Sequence, residues 1–206
     1  MLDVEAIQPL YDGADPIHDF SHVERVLVMA ERIAQAEGAD LEIVRTAALL
    51  HDISREEEDS HQAGDHALLA AERARDLLRE AGGSPEFVEA VAHAIAAHRF
   101  RNAVEPQTLE AKVLFDADKL DTIGAVGVAR AFSYGSLMGQ RLWGEVSPDY
   151  EPGGDEAHTP HHEFHYKLRH IKGRMYTPTG QAIAEERHRY MVEFYTRMAD
   201  EVAGAR

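Results

Sequence analysis

His51 and Asp52 stand side by side at the end of the apolar run Thr46-Ala47-Ala48-Leu49-Leu50. Val44, Ala47, Ala48 and His51 recur at helical spacing, so His51 points the way the buried face points. An imidazole and a carboxylate are costly to desolvate without a partner. A divalent cation serves both, because imidazole nitrogen and carboxylate oxygen each suit it. Other residues of ligand type lie elsewhere. His22 sits at the edge of a buried helical face, a position that fits an exposed first-turn histidine as well as a ligand. Asp116, Asp118 and Asp121 interrupt the core-directed segment Leu114-Phe115-Asp116-Ala117-Asp118-Lys119-Leu120-Asp121 and need a cation or donors nearby. His66 and His98 each lie on an apolar helical stripe, as a hydrogen-bonded core residue or as a ligand. His93 falls on a polar side beside Glu86 and Glu89. Two imidazoles and two carboxylates would form a hard-to-borderline site for Mn²⁺, Fe²⁺, Co²⁺, Ni²⁺, Zn²⁺ or Mg²⁺. Two carboxylates nearly cancel the charge of one divalent ion and leave positions for water and substrate. Such an ion polarises a phosphoryl oxygen and lowers the pKa of bound water.

Successive helical stripes must position these groups, and the fold class they predict is all-α. After a lead from Val4 to Tyr11, Asp12-Gly13-Ala14-Asp15-Pro16 forms a turn. Ser21-His22-Val23-Glu24 reads as a capping box that opens a helix striped by Val23, Val26, Leu27, Ala30, Ile33 and Ala34. The helix from Leu41 to about Ile53 delivers His51 and Asp52. The charge run Arg55-Glu56-Glu57-Glu58-Asp59 follows at once, either as a solvated surface or with a carboxylate turned to an active site. A helix from Asp65 to Ala81 is stopped by Gly82-Gly83. Ser84-Pro85-Glu86 starts the next, with proline at its first position, along which Phe87, Val88, Val91, Ile95 and His98 align. Helices are then predicted over Leu109 to Asp121 and Ile123 to Leu142, with Gly124, Gly127 and Ala131 for close helix approach. The helical signal disappears over 143–162, a Gly- and Pro-rich stretch expected to be a lid or disordered, with little to bury. Two helices close the chain over 163–204. Phe164, Leu168, Ile171 and Met175 stripe the first, and the second starts at Thr177-Pro178.

A length of 206 residues with 44% hydrophobic and 28% charged content fits one soluble globular domain. The absence of cysteine rules out disulfides and thiolate metal sites. No apolar run approaches a membrane span, and the N-terminus lacks a basic start or signal core, so a cytoplasmic place and no membrane partner are expected. The formal net charge of −16 argues against holding a long nucleic acid. It leaves room for a small phosphorylated substrate bound through a metal and a local cluster of Arg and Lys.

The pattern His22…His51-Asp52…Asp118 resembles the HD-domain superfamily of metal-dependent phosphohydrolases. Asp15-Pro16-Ile17-His18-Asp19-Phe20-Ser21-His22-Val23-Glu24-Arg25-Val26 looks like the opening helix of that family. Ala117-Asp118-Lys119-Leu120-Asp121 looks like its closing segment, which selects Asp118 from the three aspartates. Phe164-His165-Tyr166-Lys167-Leu168, with Ala184-Glu185-Glu186-Arg187-His188 and Met191, is similar to a bacterial single-domain subgroup of uncharacterised or nucleotide-hydrolysing HD proteins. The resemblance implies a single HD-type helical bundle over 1–206, with a metal-binding core over about 17–142. It also implies one divalent ion on His22, His51, Asp52 and Asp118, and hydrolysis of a phosphate ester or anhydride, most plausibly of a nucleotide, by a metal-activated water. Glu56, Lys119 and Asp121 are then proton-transfer candidates. Arg25, Arg130, Lys167, Arg169, His66 and His98 are candidates to meet the substrate. No Gly-Tyr-Pro follows the His-Asp pair, unlike the cyclic-dinucleotide phosphodiesterase branch. Arg55 and Glu56 stand where the alarmone hydrolase branch carries Glu-Asp. Two other classes remain in view: a di-iron oxygenase of the HD type, with His66 and His98 completing a second metal position, and a non-catalytic, metal-stabilised binding module.

Overall fold

The computed structural model describes residues 4–11, 20–54, 65–100 and 103–206, and among them every regular element is a helix or a 3₁₀ turn. The all-α class holds. In chain order these are α1 (Val4–Ile7), a 3₁₀ turn (Gln8–Tyr11), α2 (Phe20–Glu37), α3 (Leu41–Leu50), α4 (His66–Glu80) and α5 (Pro85–Ala96). There follow α6 (Leu109–Leu120), α7 (Gly124–Leu137), α8 (Pro160–Tyr166), a 3₁₀ stretch (Leu168–Arg174) and α9 (Pro178–Val202). The chain forms two compact units, Met1–Asp118 with Tyr176–Gly180, and Lys119–Met175 with Gln181–Arg206.

In the first unit α3 packs against α2, α4 and α5, and α4 packs along α5. The facing stripes are rich in small residues: Ala30 and Ala34 on α2, Ala47 and Ala48 on α3, Ala70 and Ala74 on α4, all fully buried. Short side chains let helix axes approach closely, which draws the helix ends together. Local chemistry sets those ends. Asp40 caps α3 by accepting from the amides of Glu42 (2.9 Å) and Ile43 (3.2 Å). Asp65 caps α4 through the Ala67 amide (2.9 Å). Ser84 caps α5 through the Phe87 amide (3.3 Å), with Pro85 at the first helical position.

In the second unit α7 packs on α8, and the buried Tyr195 of α9 stacks on Phe164 at 4.3 Å and on Phe132 at 6.2 Å. Gly127 is required where it stands, because a Cβ there would lie 2.2 Å from the Thr122 carbonyl oxygen. Its close approach is to the preceding turn and not to another helix.

Several boundaries differ from expectation. α2 is already helical at Phe20, so Ser21 lies inside the first turn and its hydroxyl accepts from Arg25 Nη1 at 2.9 Å instead of capping. α3 stops at Leu50 and leaves His51 as its C-cap. α7 ends at Leu137, five residues short of the predicted end. The stripe Phe164, Leu168, Ile171 and Met175 is buried as expected, yet it is built from a short α-helix and a 3₁₀ stretch. The 143–162 segment is tied in place: Thr159, Pro160, His161 and His162 at its end are buried, and the Ser147 amide donates to Glu156 Oε1 at 3.1 Å.

Candidate metal centre

Five helix ends of the first unit deliver histidines and carboxylates to one buried place. His22 comes from the first turn of α2, His51 and Asp52 from the end of α3, and Asp118 from the last turn of α6. His66 is the first residue of α4, and His98 lies two residues past α5. All six are buried. His22 Nε2 lies 3.3 Å from His51 Nε2, 3.4 Å from Asp118 Oδ1 and 3.8 Å from Asp52 Oδ2. His51 Nε2 lies 3.7 Å from Asp52 Oδ2. The other oxygen, Asp52 Oδ1, faces His66 Nε2 at 3.3 Å and His98 Nε2 at 3.6 Å. The six thus form two donor groups, His22–His51–Asp118 and Asp52–His66–His98, each with its ligand atoms within 4.8 Å of one another.

Backbone contacts fix which nitrogen of two of these rings is available. His51 Nδ1 donates to the Ala48 carbonyl at 2.8 Å, and His98 Nδ1 donates to the Ile95 carbonyl at 2.6 Å. In both cases the carbonyl belongs to the residue three positions earlier in the last helical turn. With Nδ1 carrying its proton, Nε2 of neutral imidazole is a lone pair. For His51 that neutrality follows from environment. Burial first, then the neighbouring His98 and His22, lower its pKa to about 4 against the pull of Asp52. Burial alone would raise the Asp52 carboxyl, but His51, His66 and His98 around it hold it well below the usual carboxylate range.

A divalent ion fits this arrangement. Lone pairs and carboxylate oxygens face one another in a buried site, and Asp52 Oδ1 is buried with no hydrogen-bond partner among the described residues. An acceptor stranded in that way is expensive unless a cation meets it. Imidazole and carboxylate are the donor types that borderline divalent ions take.

The three clustered aspartates are used in three different ways. Asp118 faces His22. Asp116 accepts from the amides of Tyr176 (2.8 Å) and Thr177 (2.7 Å) and from the Thr177 hydroxyl (2.6 Å). Burial outweighs those donors and holds the Asp116 carboxyl above its ordinary value. Asp121 forms a close ion pair with Arg130, so two residues singled out for separate roles hold each other. Of the remaining candidates, Arg25 stands one helical turn from His22 on α2. Lys119 is on the last turn of α6. Lys167 pairs with Glu163 at 2.8 Å, and Arg169 Nη1 lies 3.2 Å from His165 Nδ1. Glu56 falls outside the described residues.

Four residues around the site were not singled out from the sequence. Arg99 Nη1 pairs with Asp65 Oδ2 at 3.2 Å, which ties the residue after His98 to the residue before His66. The Tyr11 hydroxyl donates to the Leu49 carbonyl at 2.8 Å, and Arg73 Nη1 donates to the Ile53 carbonyl at 2.8 Å. Burial, then the Asp52 charge, raise the Tyr11 pKa well above its ordinary value, so the phenol stays a donor. The only sequence signal for them was the adjacency of Asp65 to His66 and of Arg99 to His98.

A fold of helices that gathers His22, His51-Asp52 and Asp118 in this order defines a class, and the chain belongs to it: the HD domain family model matches residues 19–123. YpgQ of Bacillus subtilis is 38% identical over 202 residues, covering 96% of this chain and 91% of YpgQ. A crystal structure of YpgQ in complex with ADP matches with a TM-score of 0.73 at 32% identity, over 97% of both chains. An HD-superfamily hydrolase from Bacillus thuringiensis matches with a TM-score of 0.75 at 29% identity, over 97% of this chain and 94% of that one. Ribonuclease Y of Chloroflexus aurantiacus is 41% identical over 99 residues, which is 48% of this chain and only 17% of ribonuclease Y.

Proposed function

We propose that this chain is a metal-dependent phosphohydrolase that cleaves a phosphate ester or anhydride of a nucleotide. The observation that carries the reading is the buried convergence of His22, His51, Asp52 and Asp118, with His22 Nε2 3.3 Å from His51 Nε2, 3.4 Å from Asp118 Oδ1 and 3.8 Å from Asp52 Oδ2. In this reading the four hold one divalent ion. When bound, the ion supplies Lewis-acid polarisation of a phosphoryl oxygen and a water nucleophile near neutral pH. The chain's own groups prepare the place. Burial keeps His51 in the neutral form that binds metals. Asp52 and Asp118 balance the charge of a single ion, while His66 and His98 steady Asp52 and face the substrate. Arg25, one helical turn from His22, is a candidate to meet a phosphate and would exchange its Ser21 contact for it. Arg130, Lys167 and Arg169 would have to leave Asp121, Glu163 and His165 to do so. Lys119, Asp121 and Glu56 remain the proton-transfer candidates.

The ADP held by the similar YpgQ chain supports a nucleotide. The likeness to ribonuclease Y raises RNA as a substrate, but a net charge of −16 disfavours a long polyanion. No described helix is long and apolar enough to cross a membrane, and a cytoplasmic place is part of the proposal. A second reading has one observation in its favour: Asp52, His66 and His98 form a donor group that could take another ion. A pair of irons there would bring oxygen chemistry within reach, marked by optical bands and oxygen uptake.

The test is assay of metal-reconstituted protein against nucleoside mono-, di- and triphosphates, short RNA and simple phosphoesters. Release of phosphate or pyrophosphate from a nucleotide is expected, lost on chelation and restored by Mn²⁺ or a neighbouring first-row ion. Full activity in protein verified metal-free defeats the proposal. An intact metal site with no turnover on any of these substrates points to the binding-module reading.

A further inference from the structure

α3 ends where its ligands begin. A helix leaves the carbonyls of its last turn without intrahelical donors. Here they belong to buried residues: Ala48 and Leu50 are wholly covered and Leu49 nearly so. Buried carbonyls need protein partners, and three have them. His51 Nδ1 donates to Ala48, and the Ile53 amide donates to Leu50 at 3.4 Å. Leu49 is served from outside the turn, by the Tyr11 hydroxyl at 2.8 Å, from a residue 38 positions earlier. Just past the ligands, Arg73 on α4 donates to the Ile53 carbonyl at 2.8 Å. One carbonyl before His51 and one after Asp52 are therefore held by side chains from two other elements.

On the reading that this site binds a divalent ion, we infer that Tyr11 and Arg73 are positioning residues, which clamp the His51–Asp52 turn at the angle that aims its ligand atoms. Neither provides a ligand. Residues 51–54 form a turn without the repeating bonds of a helix, so its direction is set by the few contacts it has. His51 Nε2 is aimed by its own bond to Ala48, within the same stretch of backbone that Tyr11 holds at Leu49. Both Asp52 oxygens are aimed by the backbone between Leu49 and Ile53, because each faces a different pair of imidazoles. Tyr11 is itself well anchored, since its ring is buried and lies 5.5 Å from that of Phe20. A small rotation of a ligand-bearing turn costs metal affinity out of proportion to its cost in stability.

The experiment measures Mn²⁺ affinity by competition with a chromophoric chelator, and the absorption bands of bound Co²⁺, on the full chain. Tyr11→Phe keeps the ring and removes the donor, Arg73→Met removes the second donor at an exposed position, and Ile33→Val is a buried control on α2. Tyr11→Phe is expected to weaken Mn²⁺ binding about tenfold and shift the Co²⁺ bands. Arg73→Met should do the same to a smaller degree, and Ile33→Val should do neither. Wild-type affinity and spectrum in Tyr11→Phe overturn the inference, and so does an equal loss in Ile33→Val. If Tyr11→Phe does not fold, unchanged binding in Arg73→Met overturns it. A wild-type chain that takes up neither ion, like the His51→Ala control, defeats the metal-binding reading beneath the inference.

Discussion

Among the described residues stand two groups of four histidines, and they use their nitrogens differently. In the second unit His158, His161, His162 and His165 are bound to protein partners. His162 Nδ1 meets the Thr159 hydroxyl at 2.7 Å while its Nε2 meets Glu156 at 2.6 Å. His158 meets Tyr150 on one side and Glu163 at 3.3 Å on the other. His161 Nδ1 takes the Gly144 carbonyl at 2.8 Å, and its ring stacks on Trp143 at 3.8 Å. His165 lies against Arg169. In the first unit, His51 and His98 spend Nδ1 on their own helix ends and turn Nε2 towards carboxylates at distances too long for good hydrogen bonds. The residue type is the same and the use is opposite. A histidine cluster that satisfies itself is a fastening, whereas one that aims lone pairs at a stranded carboxylate is prepared for a cation.

The most drastic way to break the contrast is to remove ligands from one cluster and fastenings from the other. His51→Ala and Asp118→Ala are expected to abolish metal binding and turnover together, since each leaves an incomplete, poorly neutralised donor set. His162→Ala should leave the metal-to-protein ratio unchanged. His66→Ala and His98→Ala sharpen the count, with one ion expected to remain and activity to fall by about tenfold. Elemental analysis beside turnover checks all five. A wild-type ratio near two that falls to one without His66 or His98 would show a two-ion site, with Asp52 serving both donor groups.

A smaller effect follows from protons. His51 has a pKa of about 4, against an ordinary 6.5. As pH falls below 6.5, the unfolded chain takes up a proton at this residue that the folded, metal-free protein refuses until about 4. Stability of chelated protein therefore declines across that window as pH drops, by about 3 kcal/mol at most, and His51 adds no further decline below it. Urea unfolding in the presence of chelator, at pH 7 and 4.5, measures this. His51→Asn should flatten the dependence, and an identical slope in the two proteins counts against His51 as its source.

The two clusters were unequally legible in the sequence. His51 and Asp52 were readable because an apolar stripe pointed at them, and His66 and His98 because each interrupted one. Asp118 was not separable from Asp116 and Asp121 by pattern, since all three stand in one apolar segment and their partners lie elsewhere. Asp116 answers to Tyr176 and Thr177, about sixty residues on, and no periodicity carries that information. Over 143–158 the segment is non-helical and exposed or half-buried, as its composition suggests, and its last four residues depart from that for a different reason. Its burial is made of Thr159, His161 and His162 fastened by hydrogen bonds, and a count of apolar residues does not register polar side chains that satisfy one another. Tyr11 carries no such signal, because a short lead has no stripe.

The smallest effects should come from loosening the fastening itself, and they separate geometry from charge. The Glu156 carboxyl is lowered to about 2 by hydrogen bonds, first from the Ser147 hydroxyl and then from His162, so at neutral pH it only accepts. In the neutral ring His162 Nε2 is then the donor to Glu156, and Nδ1 the acceptor of the Thr159 hydroxyl. Thr159→Val keeps the shape and strands that buried nitrogen, at a cost of about 1–2 kcal/mol in urea unfolding. Glu156→Gln behaves differently. The amide oxygen can take the place of Oε1, which accepts from Ser147 N and His162 Nε2, while the amide nitrogen faces the Ser147 hydroxyl, which can accept. Every bond is kept and only the charge is lost, so the destabilisation should be smaller than in Thr159→Val. Metal content should be that of wild type in both. A larger loss in Glu156→Gln than in Thr159→Val would mean that charge, and not the pattern of donors and acceptors, holds the second cluster together.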